Sequence, residues 1–472
     1  MSATQSLRTF RVAAWLVIAL ACAWEFKVTL KNAWASPKDP AASKERISDF
    51  AAYYSAGTLA LRGQDIYDSS ILGNGRRPYI YPPTFAIFPM MPLALLPQNA
   101  ALIVFVLINY ALLFGLCWLL RDALWRLSGA APNGGKSAAA PAWRQFLLEP
   151  AIGVMLAVIV CFRFFDDNNR QVNSNLYVAF ALVLAMWWML RRKARFDFAA
   201  GLSIALATAI KVTPGLFGLY LLWSWRPWAM LGGAVGLVVF LVLVPSARYG
   251  FTDGIGLLKK YENHVVAAET GENAENDPIG VPGGHEKKQL EGGISLRGTL
   301  MRYLTPLKMT LQYSKDEVRD TYINILNLDS GTARKIAHGL EFLFLALTIA
   351  LTVRAYARHD PGAVALSWGL VTMTMLLIAP LTRKAHLCAA MLPIAAMIAL
   401  MQQGRIRGWA RRLCIAALVY TCLEGAIFSV EFIGKWNADR IQLAGGLWYL
   451  LGLYAANACA LVSIRASVTQ CH

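Results

Sequence analysis

The chain has 472 residues, of which 57% are apolar and only 15% are charged, and its formal net charge is +17 at pH 7. This composition is that of a polytopic membrane protein. The surplus of Lys and Arg lies beside apolar segments, which is the positive-inside pattern of membrane proteins and not a footprint for DNA. We therefore expect the lipid bilayer as a partner and no nucleic acid.

The cysteines and acidic residues do not indicate a metal site. The eight cysteines are scattered singly, mostly inside apolar segments, and none forms a Cys-x-x-Cys or a Cys/His ligand spacing. Neither a disulfide framework nor a zinc site is therefore indicated. Asp166 and Asp167 are adjacent, but no separated Asp-x-Asp supports a nucleotide-sugar metal. We expect that the protein requires no metal ion.

Apolar runs of spanning length predict an all-α polytopic membrane protein with about ten full spans. The first run lacks a small-residue cleavage site, so we interpret it as a retained span and not as a signal peptide. The runs lie near residues 9–28, 99–120, 147–165, 176–190, 228–245, 337–355, 363–380, 387–402, 413–432 and 441–463.

The segment 198–224 decides the topology. It is apolar except for Lys211 and is broken by Pro214-Gly215. If it were one span, the later basic clusters would face the outside. If it is two half-helices meeting near Lys211, both termini and every basic cluster stay in the cytoplasm, as the positive-inside rule requires. We therefore predict a half-helix hairpin.

This topology leaves a single transmembrane domain, 1–472, with few segments outside the membrane. The first extracytoplasmic loop spans 29–98, and a long extracytoplasmic loop spans 246–335. The cytoplasmic side has a linker at 128–142 that is rich in Gly, Ala and Ser and is expected to be flexible. The Lys211 tip faces the same side as the two loops.

The first loop is too long and too aromatic for a mere connection. From Asp49 the spacing of apolar and aromatic residues predicts a short helix on the membrane surface. A second surface helix is predicted from Thr84 to Leu96, bent at Pro89 and Pro92. Either Ser48 or Asp49 is the N-cap of this helix, or the Asp49 carboxylate lies at the boundary between water and lipid as a functional group.

Cationic residues on the same side have two interpretations each. Lys211 is either a cation directed at a phosphoryl oxygen or a partner of Asp166 or Asp167 in a structural salt bridge. Arg383, Lys384 and His386 form a compact turn between two spans, and this turn either binds phosphate or lies among lipid headgroups.

Polar residues of two further segments are also candidates. Gln171, Asn173 and Asn175 suit hydroxyl recognition, although any extracytoplasmic turn contains such residues. Ser295 begins a predicted amphipathic helix, on which Arg297 either reaches a bound ligand or is a plain surface residue. His264 and His285 are lone loop histidines, which we expect to be solvated and not catalytic.

A series of short motifs stands in order along the chain. The motifs are Asp49-Phe50 with Tyr54-Ser55-Ala56-Gly57, Ile66-Tyr67-Asp68, Tyr81-Pro82-Pro83, Gln171-Val172-Asn173, Lys211-Val212-Thr213-Pro214, Ser295-Leu296-Arg297-Gly298, and Pro380-Leu381-Thr382 with His386. This series resembles glycosyltransferase family 87, whose members are integral-membrane C-class enzymes that use a polyprenyl-phosphate sugar, typically mannose. The turn near His386 departs from the family, which usually has Ser-Trp and paired His there, and Arg383 is a candidate replacement.

The resemblance implies a C-class fold and an inverting sugar transfer in which Asp49 is the general base. The expected partners are a polyprenyl-phosphate sugar and a glycolipid or glycan acceptor, with no cofactor, at the extracytoplasmic face of a bacterial inner membrane. The candidate phosphate-binding residues are Lys211, Arg383, Lys384, His386 and Arg297. The candidate sugar- or acceptor-binding residues are Tyr53, Tyr54, Tyr81, Gln171, Asn173 and Asn175.

Three other classes of function remain open on the sequence. A lipid or solute transporter would use Lys211 and the broken segment as a midplane site, but it needs an inner access route and usually paired repeats. An acyltransferase would be expected to show a catalytic His or Ser nucleophile on a span, and a non-catalytic assembly protein of the cell envelope is the other possibility.

Overall fold

The structure is a computed structural model that describes residues 49–68, 79–127, 149–263, 293–313, 317–356, 360–428 and 430–464, with scattered positions between 9 and 30. The predicted linker at 128–142 lies outside the described residues, as do His264 and His285. The first predicted span, 9–28, is described only in part, and its described positions are helical.

The described chain is almost entirely helical. Its helices are α1 Asp49–Arg62, α2 Pro83–Leu93, α3 Gln98–Leu127, α4 Pro150–Arg170, α5 Asn175–Met189, α6 Ala194–Ile210, α7 Leu216–Trp223, α8 Pro227–Tyr249, α9 Phe251–Tyr261, α10 Leu296–Leu304, α11 Ser330–Tyr356, α12 Pro361–Ile378, α13 Lys384–Gln402, α14 Gly408–Ile427 and α15 Val430–Ser463. The all-α prediction missed one small antiparallel hairpin, in which β1 Met309–Gln312 pairs Met309 with Thr321 of β2 Val318–Thr321.

Six helices of the described part are long and apolar enough to cross a membrane. They are Gln98–Leu127, Pro227–Tyr249, Ser330–Ala355, Pro361–Ile378, Lys384–Gln402 and Phe432–Ser463. A helical membrane protein with several spans is thereby confirmed. The predicted total of about ten spans stays a prediction, since some of the other helices are shorter than a bilayer requires.

The chain divides into two compact units. One unit comprises Ala21–Leu116 and Phe165–Lys288, and the other comprises Met1–Leu20, Cys117–Phe164 and Gln289–His472. We call the first the catalytic-loop unit, after the role that the family resemblance implies for Asp49 in the predicted loop 29–98. We call the second the C-terminal unit, because it contains the last six helices, α10 to α15.

Helices α1 and α2 of the catalytic-loop unit pack closely against each other. Gly57 lets them cross, since a Cβ atom there would lie 2.6 Å from the Met90 carbonyl oxygen. Helix α2 begins at Pro83, and its middle turns, from Ala86 to Met90, are widened into a π-helix around Pro89. The widening fits proline chemistry, because proline lacks the amide hydrogen that a regular turn uses.

The chain reverses direction at Lys211, where helix α6 ends and the backbone becomes extended. By Arg226 the chain has returned to the start of α6, because the Arg226 guanidinium lies 3.2 Å from a carboxylate oxygen of Asp197. Helix α8 then runs alongside α6 in close contact, with Gly232 against the backbone of Phe198. The reversal agrees with the predicted hairpin, while its orientation in a membrane stays a prediction.

The C-terminal unit is built around α12 and α13, which are its most buried helices. Helix α12 begins at Pro361 and is N-capped by Asp360, whose carboxylate also accepts from Arg405 at 2.6 Å. The turn before α13 is attached to the start of α10, since Ile294 donates its backbone N–H to the Thr382 carbonyl at 2.6 Å. The predicted helix after Ser295 is observed, and the Ser295 hydroxyl caps it.

Candidate active site

Asp49 is the first residue of helix α1 and is held by a turn that is distant in sequence. Its backbone N–H donates to the Gln171 carbonyl at 3.1 Å. Its side chain accepts a hydrogen bond from the Asn173 amide, whose Nδ2 lies 2.5 Å from Asp49 Oδ2. Both bonds come from the same short segment, so the position of the Asp49 carboxylate depends on the shape of that segment.

The segment that holds Asp49 has a strained backbone. Val172 is fully buried and has φ of 51°, a left-handed conformation that β-branched residues rarely adopt. The turn is fixed on both sides, because Val172 donates to the Asn169 carbonyl at 3.0 Å and Asn173 donates to the Asn168 carbonyl at 3.0 Å. A strained residue persists only where its surroundings over-determine it, and such residues cluster at functional sites.

The Asn173 side chain has a defined orientation. Its Oδ1 accepts from the backbone N–H of Ser174 at 2.7 Å and lies 3.4 Å from Lys211 Nζ. The Tyr53 hydroxyl approaches the same oxygen at 3.3 Å. Because groups that can donate surround Oδ1, the NH₂ group is the end of the amide that faces Asp49.

Lys211 points to the same group of residues. Its Nζ lies 2.5 Å from Asn175 Oδ1 and 5.3 Å from the ring centre of Tyr81. Position 211 follows the last turn of α6, where the chain is extended. The lysine therefore contacts two polar side chains and an aromatic face at the tip of the hairpin.

The predicted alternative for Lys211 was a salt bridge to Asp166 or Asp167. Both carboxylates have hydrogen-bond partners four residues further along the chain, at or just after the end of α4. Asp166 pairs with Arg170 at 2.5 Å, and Asp167 accepts from the Gln171 amide at 2.9 Å. Gln171 thus reaches Asp49 through its backbone carbonyl, while its side chain, predicted to contact sugar, binds Asp167.

Tyr53 and Tyr81 form an aromatic pair beside the Asn173 amide. Their hydroxyl groups are 2.8 Å apart and their ring centres are 5.0 Å apart. Tyr53 is completely buried, and burial, followed by the nearby Tyr81 and Asp49, raises its pKa well above the ordinary value. Tyr53 therefore remains a neutral hydroxyl and keeps its proton to donate. The Tyr54 hydroxyl instead donates to the Leu96 carbonyl at 2.8 Å.

The predicted cationic turn lies in the C-terminal unit. His386 accepts the backbone N–H of Arg383 at its Nδ1, at 2.9 Å, so a neutral ring carries its proton on Nε2. Lys384 is buried and forms an ion pair of 3.2 Å with Glu424 of α14. The Arg383 Nε atom is buried without a hydrogen-bond partner in the described structure. Lys384 is therefore neutralised within the protein, whereas Arg383 retains a donor.

Arg297 also has a carboxylate partner. Its guanidinium donates to both oxygens of Glu341, at 3.2 and 3.1 Å, and His338 lies 3.0 Å from the same carboxylate. Arg302, one turn later, is fully buried and donates to the Gly293 carbonyl at 2.7 Å. Desolvation lowers the pKa of Arg302 to about 10. Arg302 thus stabilises the fold. Arg297 could bind a phosphate only if its guanidinium also kept its contact with Glu341 or gave it up.

The candidate residues therefore separate into two groups. Within the catalytic-loop unit, hydrogen bonds and ring contacts connect Asp49, Tyr53, Tyr81, Asn173, Asn175 and Lys211. In the C-terminal unit the candidates are Arg383, Lys384, His386 and Arg297. The sequence interpretation missed Ser174, Glu341 and Glu424, because a backbone donor and two residues on apolar helices carry no local motif. Within the described residues, no group of three or more His, Cys, Asp or Glu side chains suits a metal ion.

Comparison with known proteins adds a family match. Residues 79–267 match the model of glycosyltransferase family 87. The resemblance predicted from the motifs is confirmed over this stretch, which contains Tyr81, Asn173, Asn175 and Lys211. Asp49 lies outside the matched residues and joins the site through its hydrogen bonds.

One curated relative is a polyprenol-phosphate-mannose-dependent alpha-(1-2)-phosphatidylinositol pentamannoside mannosyltransferase of Mycobacterium tuberculosis (strain CDC 1551 / Oshkosh), which is 28% identical over 187 residues. The alignment covers 38% of this chain and 37% of the relative, so the chain spans well under half of that protein. No solved structure matches the chain.

Proposed function

We propose that this protein is an inverting mannosyltransferase that uses a polyprenyl-phosphate mannose donor and a glycolipid acceptor. The family match over residues 79–267 and the name of the curated relative support the donor. The observation that carries the proposal is the contact of one amide with two charged groups. Asn173 lies 2.5 Å from the Asp49 carboxylate and 3.4 Å from the Lys211 ammonium.

Asp49 acts as the general base in this proposal. Its carboxylate takes the proton of an acceptor hydroxyl while that oxygen forms a bond to the anomeric carbon of the donor. The bond between the anomeric carbon and the phosphate oxygen breaks at the same time, and polyprenyl phosphate leaves with the electron pair. Attack from the face opposite the phosphate inverts the configuration of the sugar.

Lys211 stabilises the leaving phosphate. A phosphate monoester gains negative charge as it leaves, and an ammonium group in a site shielded from water stabilises that charge strongly. Asn175 and Tyr81 hold the lysine in position, at 2.5 Å and over the ring face. In this proposal the Tyr53 and Asn175 side chains also contact hydroxyl groups of the sugar.

The C-terminal unit has hydrogen-bond donors of its own. Arg383 has a buried guanidinium nitrogen, His386 has an Nε2–H, and each of them can donate to a phosphate. Lys384 and Arg297 contribute positive charge that Glu424 and Glu341 already balance. We propose that catalysis requires no metal or cofactor and occurs at the extracytoplasmic face of a bacterial inner membrane.

Purified protein, radiolabelled polyprenyl-phosphate mannose and a membrane lipid extract provide the test. The proposal predicts a labelled glycolipid and an equal amount of released polyprenyl phosphate. NMR of the product distinguishes inversion of the anomeric centre from retention. Release of label into water without a glycolipid, or flux of solute across sealed vesicles without any covalent product, would contradict the proposal and favour a hydrolase or a transporter.

A further inference from the structure

The Asn173 side chain is better suited to holding Asp49 than to binding sugar directly. Sequence reasoning assigned Asn173 to sugar or acceptor recognition. Its NH₂ group, however, already donates to Asp49 Oδ2, and its carbonyl oxygen already accepts from the Ser174 backbone at 2.7 Å. An amide with both ends engaged by the protein has little capacity left for a ligand.

We infer that Asn173 is a positioning residue for the general base, and that it links the orientation of the Asp49 carboxylate to the Lys211 ammonium. The inference rests on the proposed function, in which Asp49 takes the proton from the hydroxyl group of the acceptor. A carboxylate on a first helical turn rotates about its side-chain bonds unless a second group holds it. The Asn173 N–H fixes that rotation, because it donates to one particular oxygen, Oδ2.

The amide can hold Asp49 only because Asn173 is itself fixed. The Ser174 N–H, the Lys211 ammonium and the Tyr53 hydroxyl surround Oδ1 at 2.7, 3.4 and 3.3 Å. If the amide flipped, its NH₂ group would face the Ser174 N–H and the Lys211 ammonium, and its oxygen would face the Asp49 carboxylate. These three contacts would become repulsive, and only the Tyr53 hydroxyl could still accept a hydrogen bond. Val172, which directly precedes Asn173, has a strained left-handed backbone with φ of 51°, and this conformation defines the shape of the same turn.

The link to Lys211 has a mechanistic consequence. Asp49 and Lys211 lie on opposite ends of the same amide, so their separation is fixed by one rigid planar group. An inverting transfer needs the base and the leaving-group cation on opposite sides of the anomeric carbon. Asn173 thus sets the distance between the two groups that the reaction requires to act together.

Asn173→Asp tests the inference, because protonation of the new carboxyl group controls whether it can donate to Asp49. At acidic pH the two carboxyl groups share a proton, so the new side chain still donates to an ionised Asp49. At alkaline pH both groups ionise and the hydrogen bond is replaced by repulsion. We expect kcat/KM of the variant to fall about tenfold or more between pH 5.5 and pH 8, while the wild type holds its value or rises.

Other ionisable groups near positions 49 and 173 also affect the pH profile of the Asn173→Asp variant. Lys211 favours ionisation of the new carboxyl group and moves the loss of activity to lower pH, which keeps the direction of the effect. The ionisable groups of the elements packed around the pair include Asp49, Tyr53, Tyr54, Tyr81, Tyr110, Asp166, Asp167, Arg170, Tyr177 and Lys211.

A matched control is Asn109→Asp. Asn109 is buried, and its amide donates to the Asn173 backbone carbonyl at 3.4 Å, so the control places a carboxyl group near the same turn without replacing the donor to Asp49. Thermal unfolding of each variant in detergent reports any loss of folded protein. Asn173→Ser gives a second measurement if the Asp variant does not fold, and we expect it to lower kcat about tenfold or more with little change in the KM of the donor.

The outcomes separate the inference from the proposed function. If wild-type protein makes no mannolipid, the proposed function is wrong. If wild-type protein makes it, but Asn173→Asp has the wild-type pH profile, or Asn173→Ser raises the donor KM with kcat unchanged, the positioning role is wrong and Asn173 is a binding residue. The double exchange Asp49→Asn with Asn173→Asp restores an amide to carboxyl hydrogen bond, and we expect that protein to fold without activity.

Discussion

Lys384 and Glu424 form a buried ion pair, with Nζ and Oε1 3.2 Å apart and with only 8% and 3% of the two side chains exposed. The pair joins the cationic turn at the start of α13 to helix α14 within the C-terminal unit. Either charge, buried to this extent without its partner, would destabilise the folded protein, so each charge requires the other. An experiment on Lys384 must therefore distinguish its structural role from any contact with the donor.

Breaking this ion pair from one side is expected to destabilise the protein. Glu424→Gln leaves the Lys384 ammonium buried without its counter-charge, which costs about 3–5 kcal/mol in comparable pairs. The double variant Lys384→Met with Glu424→Leu removes both charges and should recover most of the lost stability. Thermal unfolding in detergent measures both effects. A Glu424→Gln protein as stable as the wild type would contradict the prediction.

The same double variant tests whether Lys384 binds the donor. If the lysine contacts the phosphate, the double variant is stable but its KM for polyprenyl-phosphate mannose rises. If the lysine is only structural, transfer by the double variant is normal.

Lys211→Met is expected to lower kcat/KM for the donor. A hydrogen bond to a charged group contributes about 1.5–3 kcal/mol, which corresponds to a fall in kcat/KM of about tenfold to a hundredfold. Lys260→Met is the matched control, because Lys260 is half exposed and pairs with Asp65 outside the Asn173 contacts. Steady-state kinetics with both variants measures the difference. Equal kcat/KM values for the two variants would exclude Lys211 from the phosphate site.

Gly57→Ala tests the packing that carries Asp49. The added Cβ would lie 2.6 Å from the Met90 carbonyl oxygen, so α1 must move away from α2. Overpacking of this kind typically costs about 1–3 kcal/mol, and it should lower transfer as well because Asp49 and Tyr53 lie on the displaced helix. Gly256→Ala on α9 is the control, since its Cβ meets nothing within 4 Å and alanine favours helix. If both variants unfold at the same temperature as the wild type, the helix crossing is looser than described.

Alkaline pH is expected to destabilise the catalytic-loop unit through buried tyrosines. Burial is the main cause that raises the pKa of Tyr53, Tyr67 and Tyr79 well above the ordinary value. Their contribution to stability is fully present below the pKa of about 10 in the unfolded chain, and it is lost as pH rises towards the higher folded values. Thermal unfolding between pH 8 and 11 should show a falling midpoint. Tyr67→Phe should reduce that slope, and an unchanged slope would contradict the assignment.

The features that the sequence predicted correctly are local ones. The start of α2 at Pro83 and its irregularity near Pro89 follow from the chemistry of proline, which acts within a few residues. The end of α6 at Lys211 likewise follows from the interruption of an apolar run by a charge and Pro214. The resemblance to glycosyltransferase family 87 was found because its motifs are short segments read in order.

The features that the sequence did not reveal depend on tertiary pairing. Asn173 and Asp49 are separated by 124 positions, and no local pattern indicates that the amide of one holds the carboxylate of the other. The partner of Lys384, Glu424, is a lone acidic residue in an apolar helix, which sequence reasoning passed over. The β-hairpin at 309–321 was missed because its strands have only four residues each.

The most direct measurement of the central claim is the rate of mannosyl transfer by Asp49→Asn. Asparagine keeps the shape of the side chain but cannot take up the proton of the acceptor hydroxyl. The kcat should therefore fall about 10²-fold to 10⁴-fold, while the unfolding temperature changes little. Asp65→Asn, in the same loop but paired with Lys260, should retain wild-type transfer. Full transfer by folded Asp49→Asn protein would contradict the account, because no other residue has been assigned the role of base.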